Sequence, residues 1–296
     1  MPEVHSSSIV SESARLADDV VVGPFCVIEG DVSIGAGTVL QSHNVIRGPV
    51  EIGSGCTVFP FATVGLGPQH LAHKPEDEVG GVKIGDRVTL RESSTVHQAW
   101  LTEAPTALGD ECYVMAGAHI GHDSVLGKNC IVCNAAQVSG HSIIGDRVYI
   151  SGLVGIHQFV AVGRLAMFSG GTAISKDLPP FCICAERNMM GGVNVVGMRR
   201  AGIDRAEISA VRKAYTHAFR QGLTGEALQD KLAEFAKDSA CVGEMLEFVK
   251  TSKRGTCPAD GRPRGMVRSW LRRTLRASGV QPGGDLELAE ADSEMD

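Results

Sequence analysis

Apolar residues recur at every sixth position along most of the first 174 residues. From Val10 the count runs through Leu16, Val22, Ile28, Ile34, Leu40, Ile46, Ile52, Val58 and Val64 without a miss. A smaller residue often stands four places after the apolar one, among them Ala14, Cys26, Thr38, Asn44, Cys56 and Ala62. The count breaks after Gly65 and resumes two residues out of phase at Ile84, Leu90 and Val96. It slips into a loop near the polar Thr102, then runs from Leu108 by sixes through Val114, Ile120, Leu126, Val132, Val138, Ile144, Ile150, Ile156, Val162 and Phe168 to Ile174. An α-helix repeats at 3.6 residues and a simple strand at two, so neither produces this period. A period of six with glycine at the turns predicts a parallel β-helix of hexapeptide repeats. Each hexad supplies one short strand, and three make a triangular coil of 18 residues. At about 4.8 Å per coil, eight or so coils predict a prism roughly 40 Å long.

The breaks and the end of the pattern divide the chain. Residues 1–180 are expected to form the β-helix, interrupted by loops at 66–82 and 98–107. Solenoids often carry binding function on such insertions, the reading preferred here over a solvated excursion. Pro179-Pro180 is expected to end the repeat, and residues 181–253 to form a connector and a small helical domain. There Asp204 with Glu207 reads as a capping box, ahead of an apolar stripe of Ile208, Val211, Tyr215 and Ala218/Phe219. A second helix is expected from Thr224 and a third over 242–249, packed on the prism end to cover its last coil. The fold class is thus an all-β solenoid plus α. The tail, 254–296, holds seven Arg up to Arg276 and then six acids without a base. Met266, Trp270 and Leu271 among the arginines allow a surface-seeking amphipathic helix. A solvated, partly disordered tail is the alternative preferred here.

Composition narrows the class. Aromatics make up only 5% of the chain while glycine numbers 36, as suits a core of small and branched side chains. The net charge of −6 gives no case for nucleic acid. Of nine Cys, Cys26, Cys56, Cys112 and Cys130 fall at the small-residue position of the repeat, which predicts buried thiols and no disulfide framework. No basic-then-apolar leader and no long apolar run is present, so a soluble cytoplasmic protein without a transmembrane segment is expected.

The chemistry collects on residues 114–130, where His119, His122 and Asp123 lie between inward rungs. One coil after His122 comes Gly140, with His141 beside it; two coils after comes Gln158, with His157 beside it. These positions stack in one outward-facing column, which core packing does not explain. Imidazole is the side chain best suited to act as a base near neutral pH. Asp123 adjoins His122 and can orient it, and the Gly140 N–H can bind a developing oxyanion. His119 reads equally as structural or substrate-binding, whereas His43 and His97 read as ordinary surface or interface positions. Three histidines sharing zinc is the competing reading, disfavoured because a metal needs ligand atoms converging at about 2 Å from one point.

These segments also resemble a family. Ile84-Gly-Asp-Arg-Val-Thr-Leu-Arg-Glu-Ser, Ala118-His-Ile-Gly-His-Asp123, Ser139-Gly-His141, Ile156-His-Gln-Phe159, Asp177-Leu-Pro-Pro180, Gly192-Val-Asn194 and Met198-Arg-Arg-Ala-Gly202 occur in the order seen in the acyl-ACP:UDP-N-acetylglucosamine O-acyltransferases, which begin lipid A synthesis. The resemblance covers roughly residues 9–253. It implies a left-handed parallel β-helix, a helical C-terminal domain and a homotrimer with sites between subunits. It implies that His122, supported by Asp123, takes the proton from a sugar 3-hydroxyl attacking the thioester of an acyl carrier protein, with Gly140 as oxyanion donor. His119, His141, His157 and Gln158 resemble substrate contacts, Gln69 and His70 stand in the family's acceptor loop, and Asn194 and Arg200 resemble nucleotide or phosphopantetheine contacts. Gly170 resembles the family's acyl-length ruler and leaves room for a long, optionally 3-hydroxylated chain, which nearby Met167 can restrict. No metal and no cofactor beyond the carrier's acyl-phosphopantetheine is implied.

The chain departs from the family on the acceptor side. The loop Gln69-His-Leu-Ala-His73 carries His70 and Ala72 in place of a carboxylate and a lysine. His97-Gln-Ala-Trp100 replaces His-Arg-Gly-Thr, and Val196 and Ala201 replace a glutamate and an arginine. Two further readings therefore stand beside UDP-N-acetylglucosamine acylation: the same chemistry on another acceptor, such as a 3-amino sugar nucleotide, and a non-catalytic trimeric scaffold.

Overall fold

The computed structural model describes residues 1–259; the remainder of the expected tail, from Asp260, lies outside the described residues. Short parallel strands form three faces of a solenoid. The first face has eleven strands including a closing hairpin, the second nine and the third eight. Rungs eighteen residues apart pair in register: Val114 with Val132 on the first face, Ile120 with Val138 on the second and Leu126 with Ile144 on the third. The solenoid begins one strand before Val10, at Glu3–Val4.

The period works because one rung and one small residue per hexad fill the interior. Ile28, Leu40, Ile46, Ile120 and Ile150 are all fully buried, and Cys26, Ala118 and Cys130 beside them likewise. Where the small residue is polar it bonds a turn carbonyl. Thr38 Oγ1 donates to Gly53 O at 2.8 Å, Asn44 Nδ2 to Phe59 O at 2.6 Å and Ser124 Oγ to Ser139 O at 3.0 Å. A buried hydroxyl or amide is tolerated because it is paired. The third residue after a rung commonly takes the left-handed conformation, Asp123 and His141 among them, each with φ 58°. All nine cysteines are buried free thiols.

Both insertions leave the prism at one corner. The first separates Thr63–Leu66 on the second face from Val82–Ile84 on the third; the second separates Thr95–His97 from Thr106–Leu108 on the same two faces. Gln98 braces them from below, its amide donating to Arg47 O at 3.1 Å and Gly48 O at 2.9 Å.

Pro179-Pro180 does not end the solenoid. The strand Cys182–Glu186 continues the first face in parallel beside Met167–Phe168, and Met189–Val193 folds back on it antiparallel. Among the described residues four helices follow: α1 (Val195–Arg200), α2 (Arg205–Ala214, prolonged by a π-turn at Tyr215–Phe219), α3 (Gly225–Ala236) and α4 (Ala240–Thr251). They are fastened to the prism by the Arg164–Glu244 ion pair at 2.6 Å and by Tyr215 Oη donating to Met190 O at 3.0 Å. The expected capping box is not formed, since Asp204 makes no side-chain cap bond. Glu207 instead caps α4, accepting from Ser239 Oγ at 2.6 Å and the Cys241 N–H at 2.9 Å.

Residues 254–259, assigned above to a solvated tail, run back along the prism. Asp177 organises this return and is only 2% exposed. Its carboxylate accepts from the Ala161 N–H at 2.8 Å and Ser252 Oγ at 2.6 Å, while its main chain bonds Gly255 and Cys257. Asp177→Ala is expected to cost about 3 kcal/mol, because two half-buried donors lose their bonds to a charged acceptor. Urea unfolding measures this.

Candidate active site

The corner that carries both insertions also carries the histidine column. His122 and Asp123 lie in the turn between His119–Ile120 on the second face and Val125–Leu126 on the third. Asp123 is a side chain seven per cent exposed, 2.6 Å from His122 Nδ1. A carboxylate can only accept, so Nδ1 carries the proton and the Nε2 lone pair is left free to act as a base. Asp123 is itself fixed. Its two oxygens accept the backbone N–H groups of Trp100 at 3.0 Å and Leu101 at 2.9 Å, and its own N–H donates to Thr106 Oγ1 at 2.8 Å.

Gly140 lies one coil above His122. A Cβ built there would stand 2.6 Å from His122 Nε2 and 2.7 Å from Cε1, so the imidazole occupies the space a side chain would need. The Gly140 N–H makes no hydrogen bond among the described residues. Gly121 is constrained in the same way, for its Cβ would stand 2.7 Å from Gly140 N. Bare backbone thus faces the base.

A ladder of rings passes through the site. Trp100 stacks on His70 with centroids 3.8 Å apart; His70 meets His122 edge-on at 5.7 Å; His122 meets His141 edge-on at 5.0 Å; and His141 stacks on Phe159 at 4.5 Å. His122 points out of the prism, yet it is only 6% exposed because the insertions roof it. A second arm runs down the second face. His119 Nδ1 lies 2.8 Å from Thr95 Oγ1, and its ring is 5.2 Å from that of His97. His97, placed above among ordinary surface or interface positions, is buried within the chain, and its Nδ1–H donates to Gly67 O at 2.7 Å, pinning the start of the first insertion. Its proximity to His119 was hidden because the second insertion lengthens this coil, so that His119 pairs with Thr95 and not with the residue eighteen places before it.

Burial lowers the His119 pKa to about 4, assisted by the neighbouring His97 and His122. Burial also lowers that of His141, against the opposing pull of Asp123. A histidine whose folded pKa is depressed binds fewer protons folded than unfolded. Stability should therefore be complete above about pH 6.5 and fall as the pH drops from there toward 4. Melting temperatures across that window for the protein and His119→Gln check the sign, with the variant expected to show the shallower decline.

The other expected site residues lie outside the cluster within one chain. His157 and Gln158 occupy the same corner further along and are exposed, His157 Nδ1 bonding only Gln158 O at 3.0 Å. Gln69 is exposed on the first insertion. Gly170 sits at the corner between the first and second faces. Asn194 is the N-cap of α1, its Oδ1 accepting from the Gly197 N–H at 2.9 Å and its Nδ2 donating to Leu165 O at 2.8 Å, so its amide fastens α1 to the prism. Arg200 is exposed in the last turn of α1. Single ligand atoms of His122, Asp123 and His141 lie within 4.8 Å of one another, close enough to share a cation. A cation there would have to displace the bond between His122 and an Asp123 carboxylate that already holds the second insertion.

A hexapeptide-repeat solenoid with an oriented imidazole against bare glycine backbone defines a protein of the hexapeptide acyltransferase class. Residues 13–48 match the bacterial transferase hexapeptide family and residues 177–257 match domain 2 of UDP-N-acetylglucosamine O-acyltransferase. An acyl-[acyl-carrier-protein]–UDP-N-acetylglucosamine O-acyltransferase of Thermodesulfovibrio yellowstonii is 39% identical over 259 residues, 87% of this chain and all of the relative. The solved UDP-N-acetylglucosamine acyltransferase of Francisella novicida is 30% identical with a TM-score of 0.82, the match covering 97% of this chain and 100% of that one. The Acinetobacter baumannii structure is 35% identical with a TM-score of 0.81, covering 86% and 98%. The chain belongs to the acyl-[acyl-carrier-protein]–UDP-N-acetylglucosamine O-acyltransferase family.

Proposed function

We propose that this chain transfers an acyl group from acyl carrier protein to the 3-hydroxyl of UDP-N-acetylglucosamine, the opening step of lipid A synthesis. The observation that carries the reading is His122, held by Asp123 with Nε2 free beside the unpaired Gly140 N–H. Nε2 takes the hydroxyl proton as the sugar oxygen attacks the thioester carbon, and the Gly140 N–H faces the oxyanion that forms. Collapse breaks the C–S bond, and the imidazolium returns its proton to the departing thiolate. A groove on the second face supports a neighbouring binding region; it starts at Ser139, beside Gly140, and passes Gly155 and His157 to Arg187. The exposed cations Arg205, Arg212, Lys213 and Arg220 have no ion-pair partner among the described residues and suit an acidic carrier. Both substrates place the reaction in the cytoplasm, and among the described residues no helix is long and apolar enough to cross a membrane.

The assembly that suits this reading is a homotrimer. Gly170, Asn194 and Arg200 lie apart from His122 on one chain, and three prisms around a threefold axis would bring a neighbour's surface to each histidine corner. Sedimentation at assay concentration should give three times the chain mass. The decisive assay supplies acyl carrier proteins loaded with long and short chains, and UDP-N-acetylglucosamine beside other nucleotide sugars. Transfer only to another sugar moves the assignment to that acceptor, and no transfer to any leaves a scaffold. The reaction uses no metal, so activity should survive prolonged chelation; loss of activity together with one released metal ion per chain would contradict this.

A further inference from the structure

The two insertions are joined by backbone bonds between Gly80–Gly81 and Ala99, and beside the base they meet through one stacked pair of side chains. Trp100 and His70 lie face to face, 3.8 Å apart and 17° from parallel, and His70 turns its edge to His122. Trp100 is held from behind as well, since its backbone N–H and that of Leu101 are both bound by Asp123. The carboxylate that orients the base therefore also anchors the residue that covers it. On either side of His70 the first insertion is exposed, at Gln69, Leu71 and Ala72. His70 Nδ1 accepts from the Ala72 N–H at 3.2 Å, which leaves a proton on its Nε2. A flat indole is a rigid support for an imidazole because both rings lose little conformational freedom on stacking.

We propose that Trp100 is a positioning residue of the acceptor pocket, clamping the first insertion over His122 through its stack with His70. The clamp lets a neutral imidazole and an indole wall the space beside the base, in place of the charged side chains that the family resemblance puts on this loop. It rests on the acyl-transfer reading for its kinetic consequence, but its structural consequence stands alone: without the stack, the roof over His122 opens.

The test uses the full-length protein. Diethylpyrocarbonate labelling of His122, followed by peptide mass spectrometry, should be slow in the parent. It should be about tenfold faster in Trp100→Ala, with Trp100→Phe restoring most of the protection. In steady-state assays Trp100→Ala should raise the acceptor KM about tenfold while kcat changes less than about threefold. His70→Ala removes the other half of the stack and should show the same labelling change, which keeps the proposal open to refutation if Trp100→Ala fails to fold. Unchanged labelling in a folded variant, even one with a lowered melting temperature, overturns the clamp and leaves Trp100 a purely structural residue. Faster labelling with an unchanged acceptor KM overturns the positioning role. A parent protein that transfers no acyl group to UDP-N-acetylglucosamine overturns the proposed function instead, and the labelling result still decides the clamp.

Discussion

His122→Ala is expected to lower kcat by about 10²–10⁴, the usual contribution of a positioned general base. The geometry explains why so much should depend on one ring. Its Nδ1–H is bound to Asp123 at 2.6 Å, which fixes both tautomer and orientation, and no second imidazole is bound in that way. His141 Nε2 is 3.7 Å from the same carboxylate, too long to inherit the bond. His119 is held near a pKa of about 4 and is a poor base at neutral pH. Folding should be nearly unaffected, because the ring lies outside the prism and Asp123 keeps its bonds to Trp100 and Leu101. Single-turnover rates beside thermal unfolding curves separate the two effects. Near-normal turnover would remove His122 from the mechanism.

The solenoid was legible because its interior is one-dimensional. Every rung from Val10 to Val64 meets the same two neighbours, so the same choice of side chain recurs and the period is visible. The first insertion showed itself by shifting the phase between Val64 and Ile84. The second is less visible, since Val96 and Leu108 stay in phase and only the polar Thr102 marks the excursion. The stacking of His122, Gly140 and Gln158 could be counted for the same reason.

The contacts that complete the corner could not be read, because loops have no period. Nothing in Gln69-His-Leu-Ala-His73 or His97-Gln-Ala-Trp100 shows that His70 and Trp100 stack, or that His97 is buried against His119. Long-range partners were hidden likewise. Glu207 three residues after Asp204 looks local, but its carboxylate caps a helix more than thirty residues away. Pro179-Pro180 reads as a terminator, yet the pair lies in the turn before the strand Cys182–Glu186, where no ladder bond is asked of it, and the first face continues past it.

Gly140→Ala is the substitution that best separates the architecture of the site from its list of residues. Alanine is helix- and strand-tolerant, and residue 140 does not adopt a left-handed conformation, so the backbone itself accepts a methyl group. The obstacle is His122. A Cβ would stand 2.6 Å from Nε2, the atom that must receive the proton, and 2.7 Å from Cε1. The ring must then swing away, which weakens the Asp123 bond, or the turn must retreat, which moves the 140 N–H from the oxyanion. Either outcome should lower kcat by about 10²–10³, the range expected when a reacting group is displaced by about an ångström or one oxyanion donor is lost. Because the clash falls on a side chain at the prism surface, the melting temperature should change by only a few degrees. Gly140→Ala in a His122→Ala background decides the cause. The alanine at 122 relieves the clash, so the second substitution should then cost little further activity. An equal, multiplicative loss in that background would mean that residue 140 acts on the oxyanion alone, and that the close approach to His122 is incidental.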